Sequence, residues 1–534
     1  MAVNVPALVA VVFFYIVIVA IGFWAFRKSK EVEKTLGGSK AEITIVGGRN
    51  INVPVGILTL TATWVGGGYI LGTAEAVYSP NQGLAWAMGP FAYVVCFICG
   101  GLFFAKPMRS SNYVTMMDPF QQRYGNVCTT LLLIPALIAD ILWVACILAA
   151  LGGTMALILG LSSTISIVIS ASVCIGYTLL GGLYAVVYTD VIQLLFIFVS
   201  LYIGIPFIVL SPAVTGASHF NQSHSTWVGE LKLEDTGKWI DEFLLLALGG
   251  LSYQALYQRI LSAASTTQAQ VTCYAAALPF FIMGIPSVAI AAAAASADWN
   301  MTAYGLPSPF ERGEAGNILP LAMLYLAPPW LSVLGIGSIA AAVMSSMDSV
   351  LLSSASMFTQ NIYKRCLRKQ ASDRELQWVI RGSLVVVGLA GMSLAFGEKS
   401  VFALWILSGD LLYCIVFPQL TCVLHVSFAN GYGMIAGFVA GMVLRILGGE
   451  PGLGIPALLL YPWWREIDGV IIQYFPFRTF AVICSSVCVV GISKLTELGF
   501  HHKKIPESLD VLQAFQEDKR RYRKSHLCTM DTKL

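Results

Sequence analysis

A run of hydroxyl side chains lies within an apolar stretch in the second half of the chain. Residues 341–349 read Ala-Ala-Val-Met-Ser-Ser-Met-Asp-Ser, and three more serines follow by residue 356. Successive hydroxyls cannot all face lipid without losing hydrogen bonds, so at least one face of this segment should point into protein. With nearby backbone carbonyls, Ser345 and Ser346 would offer hard oxygen ligands to a small cation such as sodium. The alternative is that these serines only hydrogen-bond to their own helix.

Two apolar stretches are interrupted by glycines near their centres. The first contains Gly66, Gly67 and Gly68, and the second contains Gly249 and Gly250. A break in a membrane helix frees backbone groups, which is tolerated only where protein, water or a ligand satisfies them. Broken helices in corresponding positions of two repeats are typical of secondary transporters with a site at the bilayer midplane. The alternative is that the glycines only let helices pack closely.

The composition indicates an integral membrane protein. Of 534 residues, 57% are hydrophobic and 11% are charged, and the mean hydropathy is +0.74. Soluble domains carry about twice that charged fraction, so a soluble fold is excluded. A net charge of +3 argues against a nucleic-acid partner. The 12 cysteines and 6 histidines lack the spacing of a disulfide framework or a metal site.

We predict an all-α fold in which thirteen segments are long enough to cross about 30 Å of hydrocarbon. They are residues 6–26, 51–78, 83–104, 128–156, 163–180, 189–210, 239–258, 269–296, 329–358, 379–396, 401–424, 432–449 and 475–495. Because each glycine-interrupted span begins a set of five, the chain is predicted to contain two inverted five-helix repeats, 51–210 and 239–424. The remaining parts are an N-terminal span with its loop (1–50), an outer loop (211–238), two C-terminal spans (425–495) and a tail (496–534).

The basic residues orient the predicted spans. With the N-terminus outside and the C-terminus in the cytoplasm, 25 of the 32 Lys and Arg residues fall on the inner side, among them Arg259 in a loop over 259–268. Two glycosylation sequons, at Asn221 and Asn300, then fall in outer loops and could both carry N-glycans.

The span pattern, the Ala-x-x-Ser-Ser run and the broken first repeat helix resemble the sodium:solute symporter family, which has the inverted-repeat fold of sodium-coupled amino-acid transporters. Longer motifs resemble its choline-transporting members, and these lie at residues 61–69, 72–78, 100–110 and 298–307. The resemblance implies sodium-coupled, chloride-dependent choline uptake with no organic cofactor. It implies a presynaptic plasma-membrane and vesicular location, where choline would supply acetylcholine synthesis.

The resemblance also implies site residues. The implied sodium ligands are the carbonyls of Ala62, Val65 and Ala342 and the hydroxyls of Ser345 and Ser346. Asp348 and Glu450 match acidic positions that matter in choline transporters. Asp348 would tune the cation site through intervening groups, or would alternatively be a solvated carboxylate at a helix end. We assign no residues to chloride.

Four aromatic residues are candidates for the substrate site. Choline is a quaternary ammonium ion without an N–H donor, so aromatic faces are the available means of holding its head group. Trp64, Tyr93, Trp143 and Tyr253 match the cage that the resemblance implies, and inverted-repeat packing would bring them together. Taken singly, each aromatic residue in a span is by default a packing or interface residue.

Two positions depart from the family pattern. Residue 253 is Tyr where choline transporters carry Trp, and residue 50 is Asn where they carry Asp. Trp has the stronger cation–π face, so these departures indicate a divergent or paralogous member with altered affinity.

The sequence is also compatible with other functions. The same machinery could carry a sugar or a monocarboxylate, although no Lys or Arg lies in the broken helices to bind a carboxylate. A non-transporting sensor or channel is a further possibility, and an enzyme is disfavoured because no nucleophile motif accompanies the intramembrane carboxylates. We interpret those carboxylates, Glu75, Asp140 and Asp410, as structural or gating groups.

Overall fold

The structure is a computed structural model. It describes residues 39–80, 82–160, 162–179, 182–215, 227–397, 400–450, 454–467 and 469–512, together with residues 12, 16–17, 20–24 and 27. Most of the first predicted span, Asn221 and the tail beyond residue 512 lie outside the described residues.

The described part of the chain is almost entirely helical. The helices of its first half are α1 (Lys40–Val46), α2 (Val53–Trp64), α3 (Gly67–Tyr78), α4 (Gly89–Cys99), α5 (Ala105–Ser110), α6 (Asp118–Leu159), α7 (Ser163–Thr178), α8 (Leu183–Val209) and α9 (Pro212–Thr215). Those of its second half are α10 (Thr236–Leu244), α11 (Gln254–Ser262), α12 (Thr266–Ala295), α13 (Ile318–Tyr325), α14 (Pro329–Met357), α15 (Asp373–Ala395), α16 (Val401–Leu411), α17 (Phe417–His425), α18 (Gly431–Leu447) and α19 (Phe477–His501).

Shorter elements lie between these helices in the described residues. One antiparallel hairpin, β1 (Trp464–Ile467) and β2 (Val470–Gln473), pairs Trp464 with Gln473. Four π-helical turns, Gly100–Phe104, Leu245–Gly249, Phe358–Leu367 and Leu412–Val416, continue helices with a wider turn, and a 3-10 turn covers Gly250–Ser252.

Polar caps fix where several spans begin. The Asn52 side chain accepts a hydrogen bond from the Val55 amide at the start of α2, at 3.1 Å. Ser265 accepts one from the Gln268 amide at the start of α12, at 3.2 Å. Such caps satisfy amides that have no partner within the helix, so they stabilise a helix end at that residue.

The predicted spans agree with the described helices in position more closely than in length. Among the described residues, eight helices are long and apolar enough to cross a membrane, or nine if the bent pair α2 and α3 counts as one span. The segment predicted over 128–156 belongs to the 42-residue helix α6, which bends at Gly125, and the segment predicted over 189–210 begins at Leu183. Two predicted spans coincide with the shorter apolar helices α7 and α18.

Helix α14 lies at the centre of the fold. Of its most apolar window 83% is buried, against 28% for α19, which pairs with α18. Helix α14 packs against α6, α8, α15 and α2. The hydroxyl run of residues 341–349 is therefore surrounded by protein, in agreement with the prediction that at least one face of this segment points into protein.

Candidate functional site

The first glycine-interrupted span is broken between α2 and α3. Helix α2 ends at Trp64, Val65 and Gly66 are non-helical, and α3 begins at Gly67 with its axis turned by 53°. The carbonyls of the last turn of a helix have no partner within that helix. At this break they are free to accept hydrogen bonds from other elements or to coordinate a cation.

Two hydroxyls of α14 approach these carbonyls. Ser345 Oγ lies 3.3 Å from the Ala62 carbonyl, and Ser346 Oγ lies 2.8 Å from the Thr63 carbonyl. Both serines bond across to α2, contrary to the alternative that they bond only to their own helix.

Glycine is required at the break because α14 comes so close. A Cβ on Gly66 would lie 1.9 Å from Ser346 Oγ and 3.7 Å from the Ala342 carbonyl oxygen. The five residues predicted as sodium ligands thus surround one junction: Ala62 and Val65 on one side, and Ala342, Ser345 and Ser346 on the other.

A carboxylate that the sequence analysis missed joins this cluster. Asp190 of α8 accepts hydrogen bonds of 2.5 Å from both Ser345 Oγ and Thr59 Oγ1. Its other partner is Arg259, with 3.1 Å between Arg259 Nη2 and Asp190 Oδ2. The signal that would have found Asp190 is an acidic residue within the predicted span 189–210.

The same contact corrects the placement of Arg259. We predicted it in a cytoplasmic loop, but it belongs to α11 and is only 2% exposed. Its guanidinium donates to Ser349 of α14 at 2.6 Å as well as to Asp190, because a buried cation needs acceptors in place of water.

The four predicted cage aromatics form one buried cluster. Ring centroids of Trp64 lie 4.8 Å from Tyr93, 5.7 Å from Trp143 and 5.5 Å from Tyr253. Trp143 and Tyr253 are 4.8 Å apart. Trp64 is thus the central ring, and it is also the last residue of α2 before the break.

Further aromatic residues extend the cluster. Trp405 of α16 stacks on Tyr93 at 5.8 Å, and its Nε1 donates to the Tyr93 hydroxyl at 3.1 Å. Phe97 meets Trp64 edge to face at 6.0 Å. Sequence reasoning missed both, because aromatic residues in apolar helices are common and their spacing carries no signal for a site.

Gly67 and Gly68 have packing roles beside the break. A Cβ on Gly67 would lie 2.9 Å from the Cβ of Ala150, and a Cβ on Gly68 would lie 3.0 Å from the Trp405 ring. These glycines let α3 contact α6 and α16 closely.

The second break lies three residues after the predicted glycines. Gly249 and Gly250 are helical, in a π turn followed by a 3-10 turn, and the extended residue is Tyr253, with φ −88° and ψ 130°. A Cβ on Gly250 would lie 2.8 Å from Cys96 Sγ, and one on Gly249 would lie 2.9 Å from Tyr413 Cβ. The close-packing alternative therefore holds for this glycine pair, while the break itself orients Tyr253.

Asp348 is buried. It accepts a 2.6 Å hydrogen bond from Thr178 Oγ1 and interacts electrostatically with Arg259. The alternative of a solvated carboxylate at a helix end is therefore wrong. Arg259 binds both Asp190 and Ser349, the residue after Asp348, so Asp348 lies beside the hydroxyl cluster.

Glu450 belongs to a separate charged cluster. Arg445 bonds both Glu450, at 2.5 Å, and Asp410, while Arg478 lies 3.2 Å from Asp410 and 3.6 Å from Glu450. Arg478 and Glu450 line a cavity of about 610 Å³. Asp410 is thus held in ion pairs, in keeping with a structural or gating role.

The remaining predicted positions are at the surface. Asn50 is exposed directly after Arg49, and Asn300 is exposed in a short 3-10 turn. Asn300 is therefore accessible for N-glycosylation, whereas Asn221 lies outside the described residues.

The comparisons identify the class of this protein. The model of the sodium:solute symporter family matches residues 44–441, so the chain belongs to that family. The structure of a Na⁺-coupled sialic acid symporter, in a substrate-bound outward-open state, has the same fold, with a TM-score of 0.73 at 17% identity over 92% of this chain and 98% of that one.

Particular relatives lie much nearer in sequence. The high affinity choline transporter 1 of Homo sapiens is 47% identical over 96% of this chain and 89% of its own length. That of Caenorhabditis elegans is 42% identical over 95% and 88%. The sodium/proline symporter of Escherichia coli is 25% identical over 95% and 99%. The predicted resemblance to the family and to its choline-transporting members is confirmed.

Proposed function

We propose that this protein takes up choline by coupling its movement to sodium. The observation that carries the proposal is the junction at Trp64 and Val65, where a closed aromatic cluster adjoins an oxygen-rich cluster. A large organic cation and a small inorganic one would thus bind on two sides of one helix break. The names of the relatives that are 42–48% identical support choline as the organic cation.

The aromatic cluster suits a quaternary ammonium ion. Each of its four rings is less than 9% exposed, so a bound cation would be desolvated, which strengthens cation–π attraction to about 2 kcal/mol. Among the described residues none accepts a hydrogen bond from the buried Trp64 Nε1. The Trp64 Nε1–H group would be available to donate a hydrogen bond to the hydroxyl oxygen of choline. The ammonium group would take the place of the present contacts between the four rings.

The oxygen-rich cluster suits sodium. The carbonyls of Ala62, Val65 and Ala342 and the hydroxyls of Ser345 and Ser346 would be its ligands, and oxygen donors are what a hard cation prefers. We add Asp190 as the carboxylate that orients the Ser345 hydroxyl. Asp348 would act on the same site through Arg259.

Transport would proceed by alternating access between two inverted repeats, residues 51–210 and 239–424. The thirteen-span topology, with an outer N-terminus and a cytoplasmic C-terminus, is part of this proposal. So are the added units 1–50, 211–238, 425–495 and 496–534. In this family fold, rocking of one set of helices against the other exposes a midplane site to each side in turn.

Other parts of the proposal rest on resemblance. These are chloride dependence and a presynaptic plasma-membrane and vesicular location that supplies acetylcholine synthesis. N-glycans at Asn300 and Asn221 are proposed from their sequons. No residues are assigned to chloride.

The test is uptake of tritiated choline into proteoliposomes that contain the purified full-length chain. Uptake should require an inward sodium gradient and should stop when lithium or N-methylglucamine replaces sodium. Full uptake without sodium would overturn the proposal. Gluconate in place of chloride tests the anion, and excess unlabelled proline, glucose or sialic acid tests the competing substrate classes, none of which should inhibit.

A further inference from the structure

Asp140 differs from Asp190 and Asp410, two other buried carboxylates of the spans, in how its charge is balanced. Asp190 is paired with Arg259, and Asp410 with Arg445 and Arg478. Asp140 is 2% exposed, and its hydrogen bond comes from the neutral Ser354 hydroxyl of α14, at 2.6 Å. No ion pair joins it to a Lys, Arg or His of the described residues.

The Glu75 carboxylate is stabilised differently from that of Asp140. It also lacks an ion pair among the residues that the structure describes, but it accepts hydrogen bonds from Ser400 Oγ at 2.8 Å and from the Phe402 amide at 3.0 Å. These donors form the N-terminus of α16, whose positive dipole end stabilises a carboxylate. Among the described residues no helix N-terminus donates to Asp140, so its charge, when it is ionised, would act on a neighbouring site.

The neighbouring site is the aromatic cluster. Asp140 precedes Trp143 by three residues on α6, so the two side chains are neighbours on one helix face. Asp140 also interacts electrostatically with the Tyr253 hydroxyl. Among the described residues, a buried carboxyl group without an ion-pair partner therefore lies near two of the four rings.

We propose that Asp140 is the residue that makes the aromatic cluster select a cation. Aromatic faces also bind neutral alkyl groups well, because burial of apolar surface does not depend on charge. A carboxylate near the rings would favour the ammonium through space, without touching it. Asp140 is thus a specificity-determining positioning residue, and this inference rests on the proposed function.

The test compares choline with its neutral carbon isostere, 3,3-dimethylbutan-1-ol. In the full-length protein, the wild type and Asp140→Asn are assayed for choline KM and for the inhibition constant of the isostere. If Asp140 lies about 9 Å from the bound ammonium, its charge at an effective dielectric constant near 20 changes cation affinity by about 20-fold. We expect the choline KM of D140N to be about 20-fold higher than that of the wild type. The inhibition constant of the isostere should stay within about 2-fold of the wild-type value.

Two further variants separate charge from packing. Asp140→Glu retains the charge and should keep most of the preference for choline. Ser354→Ala removes a hydrogen bond that favours the ionised carboxylate and should reduce the preference less than D140N does. If D140N does not reach a folded, monodisperse state, Asp140→Ser removes the charge with a smaller side chain, and ligand-induced thermal stabilisation of the purified protein gives the same ratio.

Unchanged selectivity in D140N, or an equal loss for choline and the isostere, would overturn the inference. Either result would leave sodium-coupled choline uptake by the wild type standing. Failure of the wild type to take up choline would instead refute the proposed function itself.

Discussion

The two clusters that share the break at Val65 differ in chemistry. On one side, Trp64 contacts four other rings, and faces and edges of aromatic residues make up the surface. On the other, carbonyls of α2 meet hydroxyls of α14 and the carboxylate of Asp190. The chain segment at the Val65 break separates the aromatic cluster from the oxygen-rich cluster.

This difference teaches how one helix can distinguish two cations of equal charge. A small ion is held by oxygen ligands at short distance, and a bulky ammonium ion is held by faces that cannot donate or accept a directed bond. Because Trp64 and the freed carbonyls belong to the same turn, movement of that turn would affect both sites. Substitutions in each cluster test whether choline binding and sodium binding can be weakened separately, and whether uptake needs both clusters.

The largest effect is expected for Gly66→Ala, which should affect both clusters. The new Cβ would lie 1.9 Å from Ser346 Oγ, so α2 and α14 could not keep their present approach. We expect sodium-dependent choline uptake, normalised to protein at the cell surface, to fall to about 1% or less of wild type. Gly382→Ala, where a Cβ meets open space, is the matched control and should transport normally. Normal uptake by G66A would show that the close approach is not needed.

Trp64→Ala should act mainly on the aromatic cluster. Loss of the central ring removes a desolvated cation–π contact worth about 2 kcal/mol, so choline KM should rise by about 30-fold. Sodium activation, measured at saturating choline, should change little. Trp378→Ala, at an exposed tryptophan of α15, serves as the control. A large change in sodium activation with little change in choline KM would contradict the division between the clusters.

Ser345→Ala should act mainly on the oxygen-rich cluster. It removes one proposed sodium ligand and the hydrogen bond to Asp190, so half-maximal sodium concentration should rise by about 10-fold, in line with one charged hydrogen bond. Choline KM at saturating sodium should stay within about 2-fold. Among the described residues, the Ser338 hydroxyl on the same helix bonds only to the Gly335 carbonyl, so Ser338→Ala should leave sodium activation unchanged. Equal sodium dependence in S345A and wild type would remove Ser345 from the site.

The smallest effect is expected for Tyr253→Trp. Indole is a stronger cation–π partner than phenol, so choline KM should fall by about 3-fold. The change removes the 3.0 Å hydrogen bond between the Tyr253 hydroxyl and Ser408 Oγ, and this loss limits the gain in choline affinity. The companion variant Ser408→Ala loses that bond but keeps the ring, and it measures this limit separately. An unchanged or higher KM in Y253W, beyond the effect of S408A, would count against Tyr253 as part of the cage.

The sequence predicted those features that depend on local chemistry. Apolar length located most spans, because a bilayer fixes how many residues must be apolar. Gly66 marked a break because a membrane helix rarely gives up backbone hydrogen bonds at its centre. The aromatic set came from family motifs, since no periodicity distinguishes Trp64 from a packing residue.

Features that depend on distant contacts were missed or misplaced. Asp190 and Arg259 are 69 residues apart, and neither reveals from its neighbours that it has a buried partner. The second break was assigned to Gly249 and Gly250, although those glycines accommodate Tyr413 and Cys96 while Tyr253 carries the extended backbone. Trp405 lies 312 positions from Tyr93, so only the folded chain shows that they stack.

The pairing of Asp190 with Arg259 has an electrical consequence. Because the carboxylate and the guanidinium cancel, a sodium ion beside Ser345 would add a whole positive charge to the carrier instead of neutralising a standing negative one. An elementary charge that crosses a membrane potential of 100 mV changes in energy by about 2.3 kcal/mol. Membrane voltage would therefore drive the sodium-loaded form inward, and this pair would add nothing to the voltage dependence of the return of the empty carrier.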